Sequence, residues 1–491
     1  MRPASHRGVA RRIFGIAALP VSALPVSALP VSALPVPHPR NRREAGHGRG
    51  AHDGGMVVID AWFSQYPFPS FLETVQKRAA EFEAAHPGHR VNVRPVWWQR
   101  LPQEVSHAAA QGRPPAIASY YSGATQHARD TRTADGRPLF TSVERAIGGR
   151  TEILGEPVVT GDLVEAARAF YTLGGELVAM PLTLSTMLLY ANTSLLRAAG
   201  VPDVPRTWSD VDAAGRALAA HGPSRAMSWV IDGKFFQHAL AQQGGLFAEH
   251  HNGRRGPATT VDLTCPAMMD YVEWWTRLAA DGHFLYTGAM QDWQGTFAAF
   301  TGERVALRLS SSFDAAYMVA GARENGFDIV TAPVPANERV PYAGNWIGGD
   351  AIWLADGLDE ATRDGALAFT QFLNTPANAA DWHKVYGSAP VTTPAVELLD
   401  QEGWFERHPY FRVATEQLEM MSGEPTQAVM GAYAHIQRVA MRAMRDVLTR
   451  DADPLARFGR ATREAQSLLD DYHANWSGVS PGSTYHLHVD S

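Results

Sequence analysis

Residues 56–121 alternate strand-like and helix-like patterns in the order β-α-β-α-β. Such alternation predicts an open, mostly parallel sheet, because parallel strands are joined by helical crossovers. Ligands bind such sheets beyond the carboxyl ends of the strands. The pattern therefore predicts that residues 62–66 and 120–122, at the ends of two strands, bind a ligand. The three strand-like runs are residues 56–61, 91–96 and 114–118.

The rest of the body repeats this alternation of apolar runs and amphipathic helices. The chain has 491 residues, of which 45% are hydrophobic, so it can bury a large core and is expected to form two or more domains. The formal net charge is −7 and the body has no long basic run, which argues against a nucleic-acid partner. The later strand-like runs are residues 227–231, 305–309, 327–332 and 344–354.

Residues 174–210 carry the most specific local pattern of the chain. A short apolar strand is expected to stop at Pro181, because proline cannot donate to a ladder. A short helix then ends at Gly200, a favourable residue just beyond a helix. Thr207 or Ser209 can cap the helix that follows. The segment therefore predicts strand, helix and a second helix within a short length of chain.

These residues closely resemble the signature segment of the family 1 extracellular solute-binding proteins of ABC importers. That family shows a strand with Gly, Ala and Pro at fixed spacing, a Tyr-Asn pair, an Ala-Gly helix end and a Pro-x-Thr-Trp helix start. The resemblance extends through most of the body, and residues 347–408 are most similar to the glycerol-3-phosphate-binding proteins. It implies an α/β, two-lobed, periplasmic-binding-protein-like fold with hinge crossings between the lobes. The matching residues are Gly175–Pro181, Tyr190 with Asn192 displaced by one position, Ala199-Gly200 and Pro205–Trp208.

The resemblance also divides the body into two discontinuous lobes, with crossings expected near Ser185 and Gly349. Lobe one is expected to comprise residues 56–185 and 350–393. Lobe two is expected to comprise residues 186–349 and 395–473. The polar residues 474–491 are expected to form a loose tail.

The N-terminus has the composition of an export signal. A basic segment precedes the apolar repeats of Ala-Leu-Pro-Val-Ser, and proline at every fifth position opposes a stable membrane helix. Residues 1–36 are therefore interpreted as a secretion leader, with Arg11-Arg12 indicating twin-arginine export; a wrongly chosen start codon is the alternative. Residues 37–55 are expected to be a disordered linker. The only cysteine is Cys265, so we expect an extracytoplasmic protein without a lipid-anchoring cysteine.

The sequence contains none of the common catalytic motifs GxSxG, HExxH or GxxxxGK[ST]. We therefore expect a binding protein rather than an enzyme, the alternative being a glycoside hydrolase with an unrecognised carboxylate pair. His250-His251 follows Glu249 and precedes Asn252-Gly253, which is more typical of a surface turn than of a metal site. No metal or cofactor is expected.

Aromatic residues recur at the ends of the predicted strands and helices. Their rings can pack on the C–H faces of a sugar while short polar side chains orient its hydroxyls, although core packing is the alternative for each ring. Carrying the family's site over position by position implies a substrate-binding set drawn from both halves of the chain. The set is Trp62, Ser64, Tyr66, Tyr120, Tyr121, Trp229, Asp232, Phe235, Ser311, Ser312, Phe313, Gly349, Asp350 and Tyr433.

Three positions depart from the pattern of the glycerol-3-phosphate binders. Tyr121 stands in place of an acidic residue, Ser388 in place of a tyrosine, and Met430 roughly in place of an arginine. Arginine is the natural bidentate partner of phosphate, so its absence favours a neutral saccharide or polyol. We expect a monomeric substrate-binding component that delivers this solute to the permease subunits of an ABC importer. Binding of glycerol-3-phosphate or glycerophosphodiesters is the alternative.

Overall fold

The computed structural model describes residues 55–67, 69–421 and 423–475. The expected leader, nearly all of the expected linker and residues 476–491 of the expected tail lie outside the described residues. The strands are β1 Val57–Gln65, β2 His89–Trp97, β3 Ile117–Tyr121, β4 Phe140–Thr141, β5 Glu152–Ile153, β6 Glu156–Pro157, β7 Thr172–Leu173, β8 Glu176–Leu177, β9 Met180–Pro181, β10 Met187–Asn192, β11 Arg225–Ser228, β12 Val305–Ser311, β13 Ile329–Ala332 and β14 Asp350–Ala355.

Helices separate many of the strands, and α13 to α19 follow β14 in succession. Helix α9 is a single turn with left-handed backbone angles at His250 and His251. None of the described helices is long and apolar enough to cross a membrane. The helices are α1 Ser70–Ala85, α2 Leu101–Ala110, α3 Thr125–Asp130, α4 Val143–Ile147, α5 Glu165–Tyr171, α6 Thr193–Ala198, α7 Trp208–His221, α8 Gly233–Gln242, α9 Glu249–Asn252, α10 Pro266–Ala280, α11 Trp293–Thr301, α12 Ala315–Asn325, α13 Glu360–Phe372, α14 Pro376–Tyr386, α15 Thr393–Gln401, α16 Trp404–Arg407, α17 Pro409–Glu419, α18 Tyr433–Arg450 and α19 Pro454–Asn475.

The first sheet has the strand order β2-β1-β3-β14-β4, and β9 also pairs with β14. Strand β1 is parallel to β2 and β3, as the β-α-β-α-β pattern predicts, whereas β14 runs antiparallel to β3. Helix α1 buries Phe71, Val75 and Phe82, which recur at helical spacing, and packs against this sheet. The carboxyl ends of β1, β2 and β3 therefore meet at one edge, next to the start of β14.

The second sheet has the strand order β11-β12-β10-β13. Strand β12 is parallel to β11, and β10 is antiparallel to both β12 and β13. Helix α7 begins at the predicted cap, because the Thr207 hydroxyl accepts from the Asp210 amide and the Asp210 carboxylate accepts from the Thr207 amide. The two sheets form the centres of the two lobes.

The chain passes between the sheets in segments that bond to one another. Ser185 and Gly348 exchange two backbone hydrogen bonds, of 3.1 and 2.8 Å. The side-chain amide of Gln427 bonds to both the amide and the carbonyl of Ile347, at 2.7 and 3.0 Å. Gly349 has a φ of +105°, and a Cβ there would lie 2.0 Å from the carbonyl oxygen of Thr183. Only glycine fits this crossing, which places the start of β14 directly between the lobes.

Candidate solute-binding cleft

Asp350, the first residue of β14, is a buried carboxylate at the edge where the strands of the first sheet end. It is 1% exposed, and its Oδ1 accepts a hydrogen bond of 2.6 Å from the Tyr66 hydroxyl. Its other oxygen, Oδ2, has no hydrogen-bond partner in the described part of the chain. Burial raises the pKa of Asp350 to about 6, and the hydroxyls of Tyr66, Ser64 and Ser119 oppose this rise. The carboxylate can therefore accept a further donor.

Partly buried aromatic rings surround this carboxylate. Trp98 stacks on Tyr66 with ring centroids 5.9 Å apart and meets Tyr121 edge-on at 5.0 Å. Tyr386 lies close enough to Asp350 for the carboxylate to raise the pKa of its phenol, after the larger effect of burial. Offset and edge-on rings of this kind form an apolar wall with polar edges, which suits a ligand that has both C–H faces and hydroxyls.

The second lobe faces these rings with Tyr433 and Asp232. Burial raises the pKa of Tyr433 above its ordinary value, and the nearby Tyr121 and Asp232 raise it further. Asp232 caps α8 by accepting from the amide of Lys234 at 3.0 Å, and its other oxygen accepts from Gln291 at 2.6 Å. Polar groups from the second lobe thus approach the aromatic wall of the first.

Three more predicted residues lie at the end of β12 and in the turn that follows it. The Ser312 hydroxyl accepts from the amide of Thr186 at 3.2 Å, and the Ser311 hydroxyl accepts from the amide of Phe313 at 3.2 Å. The Phe313 ring packs on Tyr386 with centroids 4.8 Å apart. Ser311 and Ser312 therefore shape the turn, while Phe313 joins the aromatic wall.

Four predicted aromatic residues lie in the cores instead of beside Asp350. Tyr120 is 1% exposed and packs on Phe140, because side chains alternate across a strand and only Tyr121 faces the cleft. Trp229 is 1% exposed inside a cluster with Trp274, Trp275 and Phe284. Phe235 is also in this core, at 2% exposure. Trp62 lies under the guanidinium of Arg94, 3.9 Å from its ring centre.

Sequence reasoning missed three residues beside the site. Trp98 follows the carboxyl end of β2, so the strand-end rule that selected β1 and β3 would also have found it. Tyr386 ends helix α14, and no sequence pattern marks it. Lys234 lies at the start of α8, with its ammonium 5.6 Å from the ring centre of Trp293 and 6.0 Å from that of Trp346. No acidic side chain pairs with Lys234 in the described ranges.

The departures from the phosphate-binding pattern have clear places in the structure. Met430 is 3% exposed and lines a cavity together with Tyr121 and Tyr433, so no arginine stands at this point. Ser388 is buried, accepts from the amide of Leu184 at 2.8 Å and thereby holds a crossing segment. Met430 thus borders the cleft, whereas Ser388 supports the crossing.

The cavity beside Tyr121 and Tyr433 has a volume of about 50 Å³. Ligand pockets usually enclose about 300–1,000 Å³, so this cavity has to widen before a sugar can enter. A larger cavity of about 630 Å³ lies between α5 and the loop around Glu424, and none of the predicted site residues lines it. We place the candidate site at the smaller cavity and the Asp350 cluster, because the aromatic and polar groups converge there.

Two lobes, bonded crossing segments and a cleft lined from both sides define a solute-binding protein. The chain belongs to the bacterial extracellular solute-binding proteins, whose family model matches residues 77–412. Two α/β lobes joined by several crossings fit this family, because lobes that hinge about their crossings can close around a small solute.

Curated relatives carry the name sn-glycerol-3-phosphate-binding periplasmic protein UgpB. The protein from Yersinia enterocolitica serotype O:8 is 27% identical over 350 residues, which are 70% of this chain and 76% of the relative. The protein from Pectobacterium atrosepticum is 26% identical over 428 residues, 85% of this chain and 92% of the relative.

Solved structures of similar fold include binders of sugars and of a phosphodiester. The cyclic α-maltosyl-1,6-maltose binding protein from Arthrobacter globiformis has a TM-score of 0.68 at 18% identity, covering 85% of this chain and 100% of that one. UgpB from Mycobacterium tuberculosis in complex with glycerophosphocholine has a TM-score of 0.64 at 22% identity, covering 85% of this chain and 99% of that one. These likenesses establish the two-lobed fold.

Proposed function

We propose that the chain is the extracytoplasmic substrate-binding component of an ABC importer and that it captures a saccharide or polyol between its lobes. The observation that carries this proposal is the unpartnered Oδ2 of Asp350 within a wall of partly buried rings. A buried acceptor without a donor is costly, and a ligand hydroxyl would satisfy it. The rings of Tyr66, Trp98 and Tyr121 would pack on the C–H faces of the same ligand.

The residues proposed to contact the solute are those that the structure gathers around this point. Ser64, Tyr66, Tyr121, Phe313 and Asp350 are proposed from the sequence-predicted set. Tyr433 and Asp232 are proposed to act from the second lobe, and Trp98 and Tyr386 are added to the set. The residue ranges expected for the two lobes and a monomeric state remain part of the proposal.

A phosphate-bearing solute is the second candidate. The relatives named as glycerol-3-phosphate binders support it, and so does Lys234, a cation at the cleft that has no acidic partner in the described ranges. Two residues argue against it. The carboxylate of Asp350 would repel a phosphate held in the cleft, and the apolar Met430 offers it no hydrogen bond. A saccharide or polyol therefore remains the first candidate.

A thermal-shift and calorimetry panel separates the two candidates. We expect saccharides or polyols to raise the melting temperature more than glycerol-3-phosphate or glycerophosphocholine does. Stabilisation by the phosphate compounds alone, abolished in Lys234→Met and retained in Lys384→Met, would replace the first candidate with the second. Lys384 is a matched control because it also lies near an indole, 5.8 Å from the Trp404 ring centre, but pairs with Glu402.

Solute capture, the absence of catalysis and the export route are tested separately. Native mass spectrometry of protein purified without refolding would identify a solute that co-purifies, and unchanged recovery of that solute after incubation would support a binding role. Release of cleaved products from a glycan panel would instead favour a hydrolase. Export through the proposed leader without a lipid anchor predicts protein in the extracytoplasmic fraction after cell fractionation, with no attached acyl chain by mass spectrometry.

A further inference from the structure

Helix α19, the last helix of the described residues, reaches across from the second lobe to the first. It packs along α18 and α10, which belong to the second lobe. Near its end, the hydroxyl of Tyr472 donates a hydrogen bond to Oδ2 of Asp130, the last residue of α3. Helix α3 directly follows β3 of the first sheet, so this bond joins the two lobes. The same oxygen of Asp130 accepts from Gln126 at 2.9 Å, which fixes the carboxylate toward the tyrosine.

The ring of Tyr472 packs directly against Gly431, which has no side chain in its way. A Cβ at Gly431 would lie 2.2 Å from Cδ1 of the Tyr472 ring, so any larger residue would displace it. Tyr472 is only 7% exposed. A tyrosine held this closely by a glycine and by a carboxylate of the other lobe makes a specific contact.

Two cavities meet at this ring. One of about 50 Å³ lies on the side of Tyr121 and Tyr433, and another of about 170 Å³ lies on the side of Pro257 and Arg132. Tyr472 and Gly431 line both, so the ring separates the candidate site from the outer cavity. Opening the cleft on this side requires the Tyr472–Asp130 bond to break.

We propose that Tyr472 is a closure clasp, a positioning residue whose hydrogen bond to Asp130 holds the two lobes together over the bound solute. The inference rests on the proposed function for its ligand readout but not for its conformational readout. A hydrogen bond to a carboxylate at the mouth of the cleft favours the closed arrangement by its net contribution and slows reopening after capture. The clasp therefore affects solute dissociation more than association.

The test uses the full chain with Tyr472→Phe, which removes only the hydroxyl. We expect the ratio of closed to open molecules to fall about tenfold, as expected for one hydrogen bond to a charged group. The ratio is measured by single-molecule energy transfer between cysteines introduced at the exposed Lys77 and Glu273, one on each lobe; Cys265 is buried. Tyr317→Phe is the control, since Tyr317 is 49% exposed and stacks on Phe297.

A second variant reaches the same bond by another route. Gly431→Ala is expected to displace the Tyr472 ring and to lower the closed fraction as Tyr472→Phe does, while Gly459→Ala in α19 should have no effect, because nothing lies within 4 Å of a Cβ there. With the best solute from the panel, both variants should speed dissociation about tenfold in stopped-flow measurements and leave association nearly unchanged.

The readouts separate failure of the clasp from failure of the proposed function. An unchanged closed fraction in both variants, with folding verified by circular dichroism, would overturn the clasp whatever the panel finds. A lower melting temperature with unaltered closure and dissociation would also overturn it, since Tyr472 would then be only a packing residue. If no solute on the panel binds, the proposed ligand class is wrong. The ratio of closed to open molecules, measured by energy transfer, still shows whether Tyr472 holds the lobes together.

Discussion

Replacing Asp350 by asparagine should stabilise the unliganded protein at neutral pH while weakening solute binding. The pKa of Asp350 is raised by burial from 3.8 to about 6. A folded-state pKa above the unfolded value means that the group contributes stability below pH 4, and that this contribution is lost as the pH rises through 6. The ionised carboxylate therefore costs the folded state about 3 kcal/mol above pH 7, at about 1.4 kcal/mol for each pH unit between the two pKa values.

Asparagine should recover only part of this cost, about 1–2 kcal/mol, because its amide hydrogens have to find acceptors in the same buried space. The Tyr66 hydroxyl can still donate to the remaining side-chain oxygen. For the solute, losing a charged acceptor should raise the dissociation constant about tenfold or more. A residue that destabilises the free protein and strengthens binding is typical of functional sites.

Urea denaturation of both proteins from pH 4 to 8, without solute, measures the effect. Asp350→Asn should be about 1 kcal/mol less stable than wild type near pH 4, where the carboxyl is protonated in the folded state, and about 1–2 kcal/mol more stable above pH 7. Most of this change should occur as the pH rises toward 6, and the difference should level off above pH 7. Asp364→Asn is the control of opposite sign, because Arg150 and Arg363 lower the pKa of Asp364 despite its partial burial. A constant difference between wild type and Asp350→Asn across this range would refute the reasoning.

Three further perturbations test the crossing, the aromatic wall and the hinge. Gly349→Ala should destabilise the protein by about 2 kcal/mol or more, since a Cβ would meet the Thr183 carbonyl; Gly357→Ala, with positive φ but open space, should cost less in the same denaturation experiment. Trp98→Ala should weaken solute binding, measured by calorimetry, by about 0.5–1.5 kcal/mol more than the loss of buried apolar area alone would cause. The neighbouring Trp97 is 39% exposed, and its replacement by alanine should leave binding unchanged. Solute saturation should reduce the radius of gyration in small-angle scattering, and a solute that raises the melting temperature without compaction would contradict the hinge.

The fold was largely accessible from the sequence because its determinants are local. The alternation of strand and helix patterns predicted the parallel core of β1, β2 and β3, and the Thr207 cap formed as expected. The antiparallel placement of β14 beside β3 was not accessible, because that pairing joins residues more than two hundred positions apart. Only the family resemblance indicated where the chain would cross between lobes.

The site was accessible only in part, because the sequence shows which strand ends carry aromatic rings but not which way each ring points. Of the adjacent tyrosines after β3, Tyr121 faces the cleft and Tyr120 the core, a difference of one position along the strand. Trp229 and Phe235 satisfy the same end-of-element rule but join the core of the second lobe. Tyr386 reaches Asp350 from a helix end that no periodicity distinguishes.

The similarity to both sugar binders and phosphate binders leaves the choice of solute to the charges inside the cleft. The first lobe contributes the buried carboxylate of Asp350. The second contributes Asp232, which caps α8, and Lys234, which lies near two indole rings. Two carboxylates and one ammonium give a cleft that accepts hydrogen bonds more readily than it offers them to an anion. A solute rich in hydroxyl groups can donate a hydrogen bond to Asp350, whereas a phosphate would be repelled by that carboxylate. The apolar Met430 supplies no hydrogen bond that would offset this repulsion. The electrostatic balance of the cleft, and not the fold, therefore favours a saccharide or polyol.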